Sequence, residues 1–463
     1  MAGSNPILLT DSYKVTHWRQ YPPATEFVYS YLESRGGKFD EVVFFGLQYI
    51  LDRYFCGCVL DADAIDEADA FFASHFGDAS LFNRVGWEGI LERHGGRLPV
   101  SIRAVGEGTP VPTHNVMMTI ENTDPACPWL TNYLETLLVQ VWYGCTVATL
   151  SREMKRVILA ALVETGDPDL APFMLHDFGF RGVSSVESAS LGGAAHLVNF
   201  EGTDNLAACR LARDTYGCAM AGSSIPASEH STITAWGRDR ELDAFRNMLE
   251  CYPSGVVACV SDSYDIFHAC TELWGSQLRE MVLSREGSLV VRPDSGDPPE
   301  VVAEVLRRLG DAFGTETNAK GFRLLPPQVR VIQGDGIDLE MVRAIFARTA
   351  REGWSADNLA FGMGGALLQR LDRDTQRFAF KCSEVTVEGE RRPVSKSPIT
   401  DPSKNSKAGR LALLRSEGGS FRTVAVEDGS DCDDQLREVF RDGQLLVRDD
   451  LAAIRERAAL PAT

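Results

Sequence analysis

The sequence predicts an α/β protein whose central part contains a parallel sheet, either a barrel or a doubly wound sheet. From about residue 172, short apolar runs end abruptly in polar, glycine-rich turns, and a helical stretch follows each turn. Most successive turns lie roughly 25 to 40 residues apart, the length of one strand–helix unit. Strands and helices that alternate at this interval require parallel strands. The turns are HDFGFRG (176–182), FEGTD (200–204), SDSYD (261–265), RPDSGDP (292–298), QGDG (333–336) and FGMGG (361–365).

The strands before these turns have the composition of strands buried on both faces. The runs LVV before Arg292, VRVI before Gln333 and LAF before Gly362 are almost wholly apolar, as expected when helices cover both faces of a parallel sheet. Polar residues cluster where the strands end, and in a barrel that face carries the chemistry. Helix capping and turn formation explain any single turn more simply, whereas six such turns in series favour a functional site.

The N-terminal part follows a different pattern. The first ~125 residues mix short apolar runs with Pro and Gly, which is typical of an α+β arrangement. Two helices are predicted next, from about Pro128 to Tyr143 and from about Val147 to Glu164, with a break at Gly144.

The overall charge argues against several classes of partner. The 463-residue chain has a formal net charge of -19, so nucleic acid and anionic membrane surfaces repel it. An anionic substrate therefore requires a dedicated cluster of Arg and Lys. The 11 Cys include no CxxC pair, which indicates reduced thiols and no zinc site. With no signal-like start, and with Glu135 interrupting the most apolar helical stretch, the sequence predicts a cytoplasmic protein without a membrane span.

Three of the turns carry residues suited to a phosphorylated sugar. Gly364 and Gly365 let the backbone approach a ligand, and the helix start beside them offers N–H groups to a phosphate, although a tight turn explains the same glycines. Arg292 can meet phosphate oxygens and Asp294 can accept from sugar hydroxyls; an internal ion pair between them is an equal alternative. Asp335, between two glycines, fits a second carboxylate beside the sugar.

A histidine and a basic segment suit the anionic part of such a substrate. His230 lies between Glu229 and a Ser/Thr run that could orient its ring and leave a reactive nitrogen, although a single His is more often structural. The segment 396–410 forms either a solvated loop or an anion-binding strap. Its cations are Lys396, Lys404, Lys407 and Arg410.

Two aromatic residues suit a flat ring. Phe178 and Phe180 flank Gly179 in the first turn, where an exposed ring could stack on an aromatic substrate. Together these residues predict a phosphosugar site with an aromatic neighbour, and they leave the reaction open.

Longer motifs identify a family. In order, they are LLTDSYKVTH, FFGLQYIL, ENTDPACPWLTNYLETLLVQVWY, HDFGFRGVSS, HLVNFEGTD, EHSTITAWG, VSDSYDI, RPDSGDP, VIQGDG and DPSKNSKAGRL. On these motifs the sequence resembles the nicotinamide phosphoribosyltransferase family over nearly its whole length. The short link from Arg35 to Val43 resembles a bacterial or phage-type member rather than a vertebrate one.

The resemblance implies an irregular (β/α) barrel of the type II phosphoribosyltransferase kind, together with a second α+β domain built from both chain ends. Residues 1–150 would then form the N-terminal α+β part of the second domain with its leading helices. Residues 151–380 would form the barrel that carries the active site, and residues 381–463 would complete the second domain. The family also implies a homodimer with two shared active sites.

The resemblance further implies roles for individual residues. Nicotinamide would stack between Phe178 and Tyr13 of the partner subunit, with Asp204 accepting from its carboxamide. The phosphoribosyl and nucleotide site would comprise Arg292, Asp294, Gly334, Asp335, Gly364, Gly365 and Arg373. The pyrophosphate would be faced by Arg35, Arg181, His230, Arg292, Lys381, Lys396 and Lys404. The catalytic residues would be His230, Asp262 and Asp294. No metal ligand is expected in the protein itself; Mg²⁺ would accompany the pyrophosphate, and ATP, as a coupling substrate, would phosphorylate His230.

The implied reaction joins nicotinamide to phosphoribosyl pyrophosphate, giving nicotinamide mononucleotide and pyrophosphate for NAD salvage. The pyridine nitrogen already carries its lone pair, so catalysis depends on positioning and electrostatics. The nearest alternative is nicotinate phosphoribosyltransferase. Asp204 argues against it, because a carboxylate accepts from an amide N–H and repels another carboxylate. A catalytically inactive nucleotide-binding or signalling protein is the other alternative, and it predicts loss of His230 or of the anion-binding cations, all of which are present.

Overall fold

A computed structural model of the chain describes residues 5–401, 404–427 and 432–461. The described strands are β1 (Thr25–Ser34), β2 (Glu41–Val43), β3 (Val100–Ala104), β4 (Pro110–Pro112), β5 (Val116–Asn122), β6 (Leu175–Asp177), β7 (Gly202–Thr203), β8 (Val257–Val260), β9 (Leu289–Arg292), β10 (Glu316–Thr317), β11 (Arg323–Leu324), β12 (Val329–Gln333), β13 (Leu359–Met363), β14 (Phe378–Val387), β15 (Glu390–Pro393), β16 (Arg410–Arg415), β17 (Phe421–Val426), β18 (Arg437–Arg441) and β19 (Gln444–Leu445).

The α-helices of the described residues are α1 (Leu47–Tyr54), α2 (Ala62–Phe76), α3 (Arg84–His94), α4 (Leu130–Tyr133), α5 (Glu135–Val139), α6 (Val141–Thr165), α7 (Val186–His196), α8 (Leu206–Tyr216), α9 (His230–Thr234), α10 (Glu241–Cys251), α11 (Ile266–His268), α12 (Arg279–Leu283), α13 (Pro298–Phe313), α14 (Leu339–Arg351), α15 (Gly365–Leu368) and α16 (Leu451–Ala458). None of them has the length and apolarity needed to cross a bilayer.

The chain divides into two compact units. The first, which we call the sheet unit, comprises the described residues of Met1–Thr149, Asp214–Cys218 and Asp372–Ala459. The second, the barrel unit, comprises those of Leu150–Arg213, Ala219–Leu371 and the C-terminal end. Residues 372–380, which were predicted to belong to the barrel, therefore lie in the sheet unit.

The sheet unit is built around an antiparallel sheet with strand order β15-β14-β1-β5-β3-β18-β19. Strands β1, β3 and β5 come from the N-terminal part of the chain, and the other four follow residue 377. The central strand β1 pairs with β14 over almost its whole length, and most of its side chains are buried. The prediction of a second domain built from both chain ends is therefore confirmed.

The barrel unit contains a parallel sheet with strand order β7-β6-β13-β12-β9-β8. The segment 223–228 makes single β-bridges with both edge strands, Gly202 to Ser223 and Ala227 to Ala258. Ala258, Val290 and Ile332 pack together inside the resulting ring, and Ile225 of the bridging segment packs against them. The parallel strands thus form an irregular barrel, the fold class that the resemblance implied, rather than a doubly wound sheet.

The predicted helix break at Gly144 is wrong. Helix α6 runs without interruption from Val141 to Thr165, and Gly144 lies inside its first turn. A Cβ at Gly144 would stand 2.7 Å from the carbonyl oxygen of Phe45. The glycine therefore allows the helix to approach the backbone at Phe45 closely, a requirement that sequence spacing does not distinguish from a break.

Candidate active site

The ends of neighbouring barrel strands meet beneath one aromatic ring. Phe178 directly follows β6, and its backbone N–H donates to the carbonyl of Met363 at the end of β13 over 3.0 Å. A Cβ at Gly362 would lie 1.9 Å from Cε2 of the Phe178 ring, and a Cβ at Gly334 would lie 3.4 Å from it. The ring therefore rests against the ends of β12 and β13, and only glycine at position 362 leaves room for it.

A carboxylate stands beside this ring on the adjacent strand. Asp204 follows β7, which pairs with β6, and its exposed carboxylate accepts a hydrogen bond from the Ser224 hydroxyl. Its backbone N–H donates to the carbonyl of Asp177 over 3.1 Å. Burial lowers the pKa of His176, and the charge of Asp204 opposes that shift. The barrel thus places an aromatic platform, the Phe178 ring, and a hydrogen-bond acceptor, the Asp204 carboxylate, at the ends of two adjacent strands.

Sequence reasoning missed two residues at this end of the site, Asp177 and Ser224. The Asp177 carboxylate is fully buried and accepts from the Gly179 backbone N–H over 2.7 Å and from Asn205 Nδ2 over 2.9 Å. Burial raises the pKa of Asp177 to about 6; the two hydrogen bonds oppose this rise and the charge of Asp204 adds to it. The available signal was its place at a strand end, one residue before Phe178.

The His230 ring is oriented by an aspartate from another strand end. His230 begins α9, and its Nε2 lies 3.0 Å from Oδ1 of Asp262, whose Oδ2 accepts from the Ser295 hydroxyl over 2.6 Å. Glu229 instead caps α9 in a reciprocal capping box with Thr232. The prediction that Glu229 and the Ser/Thr run orient the ring is therefore wrong, because those side chains are engaged by the start of the helix.

Arg292 and Asp294 form the ion pair that the sequence left as an alternative. Nη2 of Arg292 lies 3.5 Å from Oδ2 of Asp294. Nε of Arg292 is buried and has no hydrogen-bond partner among the described residues, so one donor is left over for a ligand. Burial raises the pKa of Asp294; Arg292 opposes the rise, and the charges of Asp262 and Asp335 add to it. Asp294 thus lies near two other carboxylates, Asp262 and Asp335, and two basic side chains, Arg292 and His230.

The remaining barrel candidates surround these side chains. A Cβ at Gly334 would lie 3.3 Å from Oδ1 of Asp294, which places the QGDG turn, with the exposed Asp335, beside that carboxylate. A Cβ at Gly364 would lie 3.7 Å from the carbonyl oxygen of Phe178, and one at Gly182 would lie 3.6 Å from the Gly365 backbone. The turn that carries the exposed Arg181 therefore adjoins the glycine-rich turn.

The sheet unit carries the other predicted site residues. Lys381 is half-buried, and burial lowers its pKa; Glu135 opposes the shift, while Arg35, Lys396 and Arg373 lower the pKa further. Arg35, Lys396 and Arg373 therefore each lie close enough to Lys381 to disfavour its charged form. Arg35 is partly neutralised by Glu33, with Nε 2.8 Å from its Oε1.

Two other predicted residues of the sheet unit are exposed. Lys404 lies 3.2 Å from Asp401, and its carbonyl accepts from Arg35 Nη1 over 3.4 Å, so it borders the cationic group. The ring of Tyr13 is 60% exposed and contacts His17 edge to face with a centroid separation of 5.0 Å. An exposed aromatic ring of this kind is available to a ligand or to another subunit.

Known proteins resemble the chain along its full length. Residues 173–444 match the nicotinate phosphoribosyltransferase family, and residues 5–102 match the nicotinamide phosphoribosyltransferase N-terminal domain. The chain is 53% identical to a nicotinamide phosphoribosyltransferase of Xanthomonas campestris, covering 98% of each protein. It is 33% identical to one of Acinetobacter baylyi, covering 98% of this chain and 97% of that protein.

Solved structures share the fold at low sequence identity. A nicotinate-nucleotide pyrophosphorylase from Pyrococcus furiosus superposes with a TM-score of 0.61 at 15% identity, covering 99% of this chain and 96% of that one. Human nicotinic acid phosphoribosyltransferase gives a TM-score of 0.57 at 18% identity, with 97% and 93% coverage. Fold and full-length sequence thus agree, and the chain belongs to the nicotinamide phosphoribosyltransferase family of pentosyltransferases.

Proposed function

We propose that the protein transfers the phosphoribosyl group of phosphoribosyl pyrophosphate to nicotinamide, giving nicotinamide mononucleotide and pyrophosphate. The observation that carries the proposal is that Phe178 and Asp204 follow two adjacent barrel strands, and that the Phe178 ring and the Asp294 carboxylate both lie beside Gly334. The platform fits a pyridine ring, the carboxylate fits the N–H of a carboxamide, and the Arg–Asp pair fits a phosphorylated sugar. Full-length similarity to named nicotinamide phosphoribosyltransferases supports the same assignment.

The proposed reaction needs no general base. The lone pair of the pyridine nitrogen forms a bond to C1 of the ribose as the bond from C1 to the pyrophosphate oxygen breaks. Positive charge develops on the sugar, and the Asp294 and Asp335 carboxylates stabilise it while also accepting from the hydroxyls. Phe178, together with Tyr13 of the partner subunit in a homodimer, would hold the base in line with C1.

The departing pyrophosphate requires concentrated positive charge. In the barrel unit, Arg181, Arg292 and His230 would supply it, with Gly334, Gly364 and Gly365 offering close backbone approach. In the sheet unit, the cationic group would contribute to the phosphate and nucleotide sites. Its members are Arg35, Arg373, Lys381, Lys396 and Lys404. Burial and the nearby cations Arg35, Lys396 and Arg373 lower the pKa of Lys381; a bound polyanion would offset the repulsion from those cations, which supports this role.

Mg²⁺ fits as a companion of the pyrophosphate. No group of three or more His, Cys, Asp or Glu side chains in the described ranges is arranged to hold a metal, but Mg²⁺ commonly uses one or two carboxylates together with substrate phosphates. Asp262 and Asp294, whose charges repel each other, would border it. When bound, the ion neutralises charge on the leaving group.

We also propose that ATP assists through His230. Asp262 engages Nε2, which leaves Nδ1 to attack the γ-phosphorus of ATP as the bond to the bridging oxygen breaks and ADP departs. A phosphorylated His230 would stand beside the pyrophosphate site. The 11 cysteines are thiols rather than disulfides, which supports a reducing compartment and thus a cytoplasmic location for this chemistry.

Replacing His230 with Ala should abolish ATP stimulation, because no phosphohistidine can form. The ratio of initial rates with and without ATP is expected to fall to unity, while the ATP-independent kcat/KM falls about 10-fold through the lost pyrophosphate contact. The second readout is the transfer of label from γ-labelled ATP to the protein, in a form that is stable to base and labile to acid. His268→Ala, in the same unit, should retain both properties; stimulation that survives His230→Ala would refute the role of ATP proposed here.

Asp204→Asn tests base recognition and the reaction together. The purified protein is incubated with phosphoribosyl pyrophosphate, Mg²⁺ and either nicotinamide or nicotinate, and the mononucleotide formed is measured by chromatography. We expect product from nicotinamide and none from nicotinate. In the variant, the preference for nicotinamide should fall about 10-fold because the repulsion of a carboxylate base is removed. Asp239→Asn, an exposed carboxylate, is the control. Product mainly from nicotinate would assign the protein to the sister activity.

A further inference from the structure

Asp177 connects the two segments that form the base-recognition end of the site. Its Oδ1 accepts from the backbone N–H of Gly179 over 2.7 Å, and its Oδ2 accepts from Asn205 Nδ2 over 2.9 Å. Gly179 follows Phe178 in the chain, and Asn205 follows Asp204. One buried side chain is thus bonded next to both the aromatic platform and the carboxylate acceptor.

The surrounding structure is shaped to hold this carboxylate. A Cβ at Gly193 of α7 would lie 2.8 Å from Oδ2 of Asp177 and 2.5 Å from Nδ2 of Asn205, so only glycine admits the pair. Asn205 Nδ2 also donates to the Ala189 carbonyl over 2.9 Å, and its Oδ1 accepts from the Ala208 N–H over 3.2 Å. Asn205 is therefore fixed between α7 and α8, with one N–H aimed at Asp177.

We propose that Asp177 is a positioning residue for base recognition: it ties the Phe178 turn to the Asp204–Asn205 segment and so fixes the spacing between the ring platform and the carboxamide acceptor. The inference rests on the proposed function. It concerns a side chain that touches no substrate, because the Asp177 side chain is fully buried and acts through its two donors.

Protonation should loosen this connection. The groups that face the carboxylate are the N–H donors of Gly179 and Asn205 and the charge of Asp204. An ionised carboxylate accepts from both donors, whereas a protonated one turns an O–H towards one of them. The pKa of Asp177 is raised to about 6, so the fully bonded form is present above that pH and is lost as the pH falls through it. The KM for nicotinamide should therefore rise below about pH 6.

The substitution Asp177→Asn keeps the shape of the side chain and removes its negative charge. Its amide can accept from one donor only, so the KM for nicotinamide is expected to rise about 10-fold, the effect of losing a hydrogen bond to a charged group. The KM for phosphoribosyl pyrophosphate should change less than 2-fold, because the sugar end of the site is untouched. The rise in KM below about pH 6 should disappear in the variant.

Two further variants distinguish a positioning role of Asp177 from a general loss of protein stability. Asn205→Ala removes one donor and leaves Asp177 in place, and it should also raise the KM for nicotinamide selectively. Asn358 is the matched control: it is equally buried and accepts from the Leu325 N–H over 2.8 Å, but it precedes β13 at the opposite end of the barrel. Asn358→Ala should lower stability without changing the ratio of the two KM values.

Several results would overturn the inference. Equal changes in both KM values, a selective effect in Asn358→Ala, or a rise in the nicotinamide KM below about pH 6 that persists in Asp177→Asn would each do so. If Asp177→Asn does not fold, an unchanged KM for nicotinamide in Asn205→Ala refutes it instead. A wild-type protein that does not convert nicotinamide would refute the proposed function, which is a different outcome from an active wild type whose nicotinamide KM is insensitive to these changes.

Discussion

Asp294→Asn is expected to lower kcat/KM about 1000-fold, the order of effect seen when a group that stabilises transition-state charge is removed. The amide can still bond to a sugar hydroxyl, but it carries no charge to set against the positive charge developing on the ribose. Binding of phosphoribosyl pyrophosphate should weaken far less than kcat, because the missing interaction belongs mainly to the transition state. Steady-state kinetics at saturating and limiting phosphoribosyl pyrophosphate give the two quantities separately.

The same turn supplies the control for this variant. Asp297 is exposed and makes no side-chain cap to α13, so Asp297→Asn should retain nearly full activity. The raised pKa of Asp294 adds a pH signature. Protonation removes the useful charge, so kcat of the wild type should decline on the acid side at a higher pH than an ordinary carboxylate gives. A loss smaller than about 10-fold in Asp294→Asn would contradict the electrostatic role.

Gly362→Ala should raise the KM for nicotinamide about 100-fold, near the upper range for forced overpacking. The added methyl would stand 1.9 Å from Cε2 of Phe178, so the ring has to leave its place against the strand ends. The fold should survive, since the ring can rotate towards solvent. Nicotinamide affinity by calorimetry and kinetic KM values provide the measurement.

A glycine from the same face separates this collision from the general effect of a Gly→Ala change. A Cβ at Gly182 would meet nothing closer than 3.6 Å, which is ordinary contact, so Gly182→Ala should change the nicotinamide KM little. Nicotinamide binding that is unaffected in Gly362→Ala would show that the Phe178 ring is not the platform for the base.

The parts of the fold and site that could be predicted are those encoded locally. Apolar runs followed by glycine-rich turns located β9, β12 and β13 and the turns at their C-terminal ends, because strand burial and turn chemistry depend on adjacent residues. The closeness of Phe178 to Asp204 followed from the resemblance. The connection of Asp177 to Asn205 did not, since it depends on a missing side chain at Gly193 of another helix.

The two wrong predictions, at His230 and at Gly144, also concern contacts between segments that are distant in the sequence. Asp262 orients His230 from a strand end 32 residues away, whereas the sequence pointed to neighbours that cap the helix instead. The local sequence predicts a helix break at Gly144, because the backbone of Phe45, which this glycine accommodates, lies far away along the chain. Contacts between distant segments, rather than local propensities, decide such positions.

The bridging segment 223–228 closes the barrel, and we call its two junctions with the edge strands the seam. The strand pairs β8–β9, β9–β12, β12–β13 and β13–β6 each extend over three or four residues. This segment meets each edge strand through one bridge, with two backbone hydrogen bonds on each side. Ser224, the hydroxyl that contacts Asp204, lies on the seam. Openings with a small free-energy cost occur where few backbone bonds must break. We expect this edge, which carries Asp204, the proposed acceptor for the base, to open at a smaller free-energy cost than the strands of the proposed phosphate site. Substitutions at this edge should therefore alter base preference with little effect on the binding of phosphoribosyl pyrophosphate.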